Sequence, residues 1–437
     1  MIRKDKPLRL AQVCGALLAA ALAAPASAQS GSGVPNTAAV PASASSAPGG
    51  AEAPPTLRPE IGALLFEAQR LLSEKKVKEA AVSLLAAEAV ADKTPYEAHV
   101  LARLKGAMAS ASADAELAAQ QYLLASPGPW LSQSDRFAIL QTIVSLYYNA
   151  KNYTKAIEWI DRYLQAGGAE PGMGMVRAQS YYLKADYANA VKALEVEVAK
   201  ATSAGKAPAE MQLRLLADAR SRVKDEAGYT QAVEMLVQHY PSKDNWRTLM
   251  ARLWAKPQLA GRLQLDVFRL QLATAGLGDA SDFTEMAELA LQAGSAIEAE
   301  KVLEQGLAAG VLGAGGKPAE WQRLKDKVTR AAAEDRNTLE KDAARARTMP
   351  DGIAMFNYGF NAFQLGQTER GVTQMEQGLA KGIARNHELA RLRLVAAYAQ
   401  LGERDKARQL LATLAGKTDL VGLEETARYW NLLLRPS

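Results

Sequence analysis

From Pro59 to the C-terminus, apolar residues recur at spacings of three and four, and the runs are punctuated by Gly, Pro or Asn. This is the pattern of successive amphipathic helices joined by short turns. No stretch alternates apolar and polar residues as a half-buried strand would. The helices come in pairs. The most regular pair runs from Phe137 to Gly168: Leu140, Ile143 and Tyr147 line a first helix, Asn149-Ala150-Lys151-Asn152-Tyr153 make a turn, and Ala156, Ile160 and Tyr163 line a second.

A small residue inside the second helix serves as a phase marker and recurs at Ala80, Ala118, Ala156, Ala190, Ala232, Ala299, Gly371 and Ala407, with successive gaps of 38, 38, 34, 42, 67, 72 and 36. The 67-residue gap leaves room for one more hairpin, Asn245 to Ala273, with Trp246, Leu249 and Trp254 in its first helix and Leu265, Phe268 and Leu272 in its second. In the 72-residue gap, a glycine-rich break (Gly310 to Pro318) precedes one long stretch, Ala319 to Thr348, whose charges alternate in sign as on a solvated helix. Composition and phase change together there, which predicts N-terminal repeats over 58–309, a break and long helix over 310–348, and C-terminal repeats over 349–437 that end on a capping helix, Gly422 to Leu433. Hairpins of this length cannot bury their apolar faces alone, so they are expected to stack.

The Phe137–Gly168 hairpin and its phase-marking alanines resemble the tetratricopeptide repeat family, in which a second-helix alanine lets the two helices approach closely. Most first helices here lack the family's early tryptophan, and the turn proline is often missing. The resemblance implies an all-α fold, a right-handed α-solenoid of about 8–9 hairpins, which binds proteins through the inner face of its first helices. By repeat phase that face carries Gln141, Ser145 and Tyr148, then Met175, Gln179 and Tyr182, whereas Tyr147, Tyr153, Tyr181 and Tyr187 fall on packing positions. Nearer the C-terminus, Phe356, Phe360 and Phe363 stand at i, i+4 and i+7, a single helix stripe. Phase maps the stripe to groove positions and Tyr358, Gly359 and Ala362 to the packing face. Packing of the stripe against a neighbouring hairpin is the alternative. The groove lacks the dense Lys/Arg/Asn cluster with which chaperone-binding members clamp a C-terminal carboxylate.

The first 28 residues place Arg3, Lys4, Lys6 and Arg9 before an apolar run, Leu10 to Ala24, and end in Ala26-Ser27-Ala28, the layout of a signal peptide cleaved after Ala28. The run is about 15 residues where a span needs roughly 20. Residues 29–57 are almost wholly Ala, Ser, Gly, Pro, Val, Asn and Thr and read as a disordered tether. Cys14 is the only cysteine and lies within the signal, so the mature chain has no thiol chemistry, which fits a periplasm. Four Lys/Arg against Asp5 leave with the signal, taking three charges from the formal +5. So small a residue of charge makes no case for nucleic acid or for an anionic membrane.

His99, His239 and His387 are isolated, and no metal or cofactor motif can be written around them. Gly310 to Lys317 departs from the phosphate-loop pattern and is followed by Pro318. Carboxylate pairs such as Glu298/Glu300 and Glu424/Glu425 point to different helix faces and read as solvated charges. The expectation is therefore a non-catalytic periplasmic scaffold for envelope proteins, for example in TonB-type transport, outer-membrane assembly or polysaccharide export, the settings that the resemblance offers. A docking subunit that binds glycan or peptidoglycan is the alternative, with Trp246 and Trp254 its candidate pair.

Overall fold

The computed structural model describes residues 56–126, 129–313, 318–417 and 420–435. The expected signal, Cys14, the tether up to residue 55 and loop residues 314–317 lie outside them. Every regular element among the described residues is a helix, and none is long and apolar enough to cross a membrane. The chain forms two compact units, Met1–Lys200 and Ala201–Ser437.

The first unit holds α1 (Pro59–Ser73), α2 (Val77–Ala89), α3 (Pro95–Ala111), α4 (Ala115–Ala125), α5 (Gln133–Asn149), α6 (Tyr153–Gln165), α7 (Pro171–Leu183) and most of α8 (Tyr187–Ser203). The second holds α9 (Glu210–Arg222), α10 (Glu226–His239), α11 (Lys243–Trp254), α12 (Gln264–Thr274), α13 (Ala280–Gln292), α14 (Ala296–Ala308), α15 (Pro318–Thr348), α16 (Ile353–Gln364), α17 (Thr368–Lys381), α18 (His387–Leu401), α19 (Arg404–Ala412) and α20 (Leu423–Leu433). Nine consecutive helix pairs are present among the described residues, with α15 and α20 outside the pairing, so each unit is built from the tetratricopeptide-like hairpins that the periodicity predicts.

Eight of the nine share one turn. In it a single residue takes the left-handed conformation: Lys75, Ala113, Lys151, Ala185 and Lys224 with φ between 57° and 63°, then Gly294, Gly366 and Gly402. In the α5–α6 turn, Lys151 N–H donates to the Tyr148 carbonyl (3.0 Å) and Asn152 N–H to that of Tyr147 (2.9 Å), which closes the first helix as a Schellman motif. Asn152 Oδ1 then accepts from Lys155 N–H at 3.2 Å and opens the second helix as its N-cap. One side chain thus follows the end of one helix directly and starts the next.

Five residues after the left-handed position comes the phase marker: Ala80, Ala118, Ala156, Ala190, Ala299 and Ala407, all fully buried, and Gly371. The fifth hairpin corrects the sequence register. Tyr229 stands at that position instead of Ala232, and the close approach to α9 is made by Gly228, where a Cβ would overlap Asp225 and Arg220. Helix α10 buries Gly228, Ala232, Val233, Leu236 and Val237, so Ala232 stays on its packing face one turn after the close approach at Gly228.

The first unit is tied at its start by a buried carboxylate. Glu97, in the first turn of α3, accepts from Thr94 N–H (2.9 Å), Arg58 N–H (2.9 Å) and Arg58 Nη2 (2.9 Å), while Thr94 Oγ1 caps Glu97 N–H. The Arg58 side chain, ahead of its backbone N–H and that of Thr94, holds the Glu97 carboxyl down to about 2 against an ordinary 4.5. Because the folded value is the lower one, the stabilisation is complete above about 4.5 and is lost as pH falls toward 2. Thermal melts from pH 6 to pH 2.5 should therefore show a loss of stability below pH 4.5 that is reduced in Glu97→Gln; equal acid slopes for the two proteins would contradict this.

The second unit folds back on itself. Helix α12 buries six consecutive residues, Leu265 to Leu270, because other helices surround it: α11 and α13 from its own stretch of chain, and α18 and α20 from the C-terminal end. The return is fixed by Ala260 N–H to the Val421 carbonyl (3.2 Å), Arg428 to Glu234 (2.8 Å) and Lys256 to Glu425. Helix α20, expected as a cap, is thus a packed partner of α12. The expected boundary near Gly310 also falls inside this unit: Leu324 and Val328 of α15 join the core of α13 and α14, while Leu339, Ala343 and Ala346 pack on Tyr358 and Ala362 of α16.

Candidate functional site

The first helices of the first unit share an accessible face. Phe66 and Gln69 of α1, Tyr96 and Arg103 of α3, and Ile139 and Thr142 of α5 line a groove of about 190 Å³. Phe66 has 67% of its surface exposed, so its ring is accessible at this groove. Further along, Tyr148 Oη of α5 approaches Gln179 Oε1 of α7 at 3.5 Å. The Tyr148 ring packs edge-on to Tyr153 at 5.6 Å, and Tyr182 does the same to Tyr187 at 5.4 Å. Each ring is thereby held at fixed orientation while part of its surface stays open. Ser145, Tyr148, Met175, Gln179 and Tyr182 are all half-buried. Gln141 is not available: its Nε2 donates to Tyr163 Oη at 3.3 Å in the core, so it belongs to packing. The α1 and α3 part of the face escaped the sequence reading, although the phase that selected Ser145 and Tyr148 also selects Gln69.

The phenylalanine stripe is a correction. Phe356, Phe360 and Phe363 are all buried, none more than 5% exposed, because the return of the chain brings α12 and α18 over α16. The Phe360 ring lies between two guanidinium groups, Arg269 at 5.2 Å and Arg393 at 5.1 Å, and Arg393 also sits 5.9 Å from the Phe356 ring. Arg269 grips Glu298 with Nε (2.7 Å) and Nη2 (2.6 Å) and Asp266 with Nη1 (2.6 Å). Burial pushes the Asp266 carboxyl up and Arg393 down to about 10; for Arg269 burial acts downward too, but Glu298 and Asp266 outweigh it. Glu298, expected to be solvated, is the buried partner of this cluster, and Glu300 pairs with Arg336.

Trp246 is buried, and Trp254 packs on Phe268 at 4.6 Å with its Nε1 donating to Gln271 at 2.7 Å. The pair offers no stacking platform for a sugar, which removes the residues that the glycan alternative stood on. His99 Nδ1 lies 2.8 Å from the Ala125 carbonyl, among Tyr96 and Trp130, and burial lowers its pKa; a neutral ring bonded to a helix-end carbonyl is a structural histidine. No group of three metal-ligating side chains occurs among the described residues.

No family model and no curated protein matches the sequence. Among solved structures, the chain is similar to the TPR2AB-domain:pHSP90 complex of yeast Sti1, at 12% identity over 69% of this chain and 100% of that one, with a TM-score of 0.24. It is also similar to the structure of Naa15/Naa10 bound to HypK-THB, at 13% identity over 82% of this chain and 64% of that one, with a TM-score of 0.26. Superpositions this loose carry no argument; the tetratricopeptide likeness rests on the repeated hairpin itself, with its left-handed turn and the small residue five positions on.

Proposed function

We propose that this chain is a non-catalytic scaffold that holds a peptide segment of another protein on the first-helix face of its first unit. The observation that carries the reading is a single accessible face on which Phe66, Tyr148 and Tyr182 stand beside the amides Gln69 and Gln179. Rigid aromatics that combine apolar area with a hydrogen-bonding edge supply most of the energy in protein interfaces, and a groove of this kind suits an extended or helical peptide. The signal-like N-terminus makes the periplasm the expected compartment and envelope proteins the expected partners, in the settings named for exported members of the family.

The test is in-cell crosslinking of the tagged protein with mass spectrometry, beside Phe66→Ser/Tyr148→Ser/Tyr182→Ser and with cell fractionation. The parent should be periplasmic and enrich a small set of envelope proteins; the variant, with helicity retained, should capture them at least about tenfold less, since central aromatic anchors each contribute on the order of 2 kcal/mol. Unchanged capture by the folded variant would refute the assignment of the face, and retention of the parent in the cytoplasm would refute the compartment.

A further inference from the structure

The second unit contains a cavity of about 700 Å³ between α12, α16 and the start of α18. Its wall combines an apolar side with an excess of cations. Leu265, Leu289, Ile353, Phe356 and Leu389 supply the apolar side, and Arg262, Arg385 and Arg393 the charges. Two carboxylates also line it, and both are committed elsewhere. Asp351 accepts from the backbone N–H of Ile353 (2.7 Å) and of Ala384 (3.2 Å), and Asp266 is held by Arg269 at 2.6 Å.

Arg393 is the residue left over. Its Nη1 donates to Asn357 Oδ1 at 3.2 Å, its Nε is buried without a hydrogen-bond partner, and among the described residues it forms no ion pair. Asp266 and Glu298 act on it only at longer range, both being bonded to Arg269, so no anion sits directly against this guanidinium. The start of α18 adds to the same potential. Its N-cap residue Asn386 makes no side-chain cap, because its Oδ1 instead accepts from Arg262 Nη1 at 3.1 Å. The first-turn amides of α18 therefore keep their partial positive charge, with Glu388 of the same turn turned to His387 at 2.8 Å. Asn386, Leu389, Ala390 and Arg393 form one stripe of that helix on the cavity wall, with Arg262 and Arg385 exposed and Arg393 deeper.

We infer that this cavity binds a small amphipathic carboxylate, its head on Arg393 with Arg262 and Arg385 at the entrance, its apolar body against Leu265, Leu289 and Ile353. Burial and the neighbouring Arg269 depress the Arg393 pKa and outweigh Asp266 and Glu298, which act upward. The inference concerns the second unit and does not depend on the peptide face of the first.

The experiment is calorimetric titration of the full chain with octanoate, and with octanol and acetate as its separate apolar and charged parts. Octanoate should bind one to one, with octanol and acetate each at least about tenfold weaker. Arg262→Ala/Arg385→Ala changes exposed residues and should keep the fold, while weakening octanoate by at least about tenfold, the typical weight of a charge-assisted hydrogen bond. Arg393→Met, if it folds, should abolish binding; if it does not fold, the entrance variant decides. Octanol binding as tightly as octanoate would show a merely apolar cavity, acetate binding as tightly would show an anion site with no use for the apolar wall, and no binding, or binding unaffected in the entrance variant, would overturn the inference outright.

Discussion

Replacing Arg269 with alanine is expected to cost the second unit about 3–5 kcal/mol of unfolding free energy, because it strands two buried carboxylates. Asp266 and Glu298 are nearly solvent-free, and Arg269 supplies all three of the cluster's contacts shorter than 2.8 Å. The loss measures the uncompensated charge rather than the worth of the ion pairs. The contrasting variant makes this separable: Asp266 and Glu298 also act on Arg393, so Arg269→Met and Arg393→Met with Asp266→Leu and Glu298→Leu removes all four charges and should lose less than about 2 kcal/mol. Denaturant unfolding followed by tryptophan fluorescence, with Trp246, Trp254, Trp321 and Trp430 reporting on the second unit and Trp130 and Trp159 on the first, reads both. Burial already raises the Asp266 pKa, and without Arg269 it rises further. An acid whose folded value is raised binds its proton more tightly in the native state, so stability falls as pH climbs through the ordinary aspartate value toward the raised one. The alanine variant's deficit should therefore widen between about pH 4 and pH 7, relative to an unfolded aspartate at about 3.9. A cost below about 1 kcal/mol, or one that shrinks with rising pH, would mean that water reaches the carboxylates.

The helices and their pairing were legible because both are local: a buried Tyr147 or Ile160 is specified within its own hairpin, and period and turn residues report it. The N-cap role of Asn152 belongs to the same short range. The left-handed residue beside it does not, since Lys75, Lys151 and Lys224 occupy a conformation that costs a residue with a Cβ roughly 1 kcal/mol, and nothing in their identity announces it. Contacts across long stretches of chain were hidden altogether. The Arg428–Glu234 ion pair joins residues 194 apart, and the return of the chain that it helps to fix encloses α12 and covers α16. A helix enclosed on all sides loses its polar stripe, so Asp266 and Arg269 are buried and their partner Glu298, which reads from sequence as a solvated charge, is buried with them. By the same step, Phe356 and Phe360 pass from groove to core. In the first unit Ser145, Tyr148, Gln179 and Tyr182 stay half-buried at the positions that repeat phase selects, whereas Gln141 is drawn into the core by Tyr163, whose hydroxyl also accepts from Glu170 N–H at 2.9 Å.

The second large effect is expected where α16 and α17 meet. A Cβ on Gly371 would stand 2.5 Å from Phe363 N and 2.7 Å from Gly359 O, and one on Gly378 would stand 2.7 Å from Phe356 N. These neighbours are backbone atoms, so no rotamer change relieves the overlap. Two terms compete in Gly371→Ala. Helix propensity favours alanine by about 1 kcal/mol, while forcing atoms into a filled contact costs about 1–3 kcal/mol. Because the two helices must move apart as bodies, the upper end of that range applies, and the net should be a loss of about 1–2 kcal/mol; Gly371→Val, with two more methyl groups and no propensity gain of alanine's size, should exceed 3 kcal/mol on the same reasoning. Gly172, near the start of α7, is the control, since nothing lies within 4 Å of the Cβ it would gain. Gly172→Ala should stabilise by about 0.5–1 kcal/mol through the unfolded chain and helix propensity alone. Opposite signs for one chemical change at two helical glycines would show that contact between backbones holds α16 to α17. If Gly371→Ala stabilises as Gly172→Ala does, the pair has room to spare. The rings of Phe356 and Phe360, carried by the same stretch of α16, would then owe their places to Arg393 and Arg269 rather than to the helix contact beneath them.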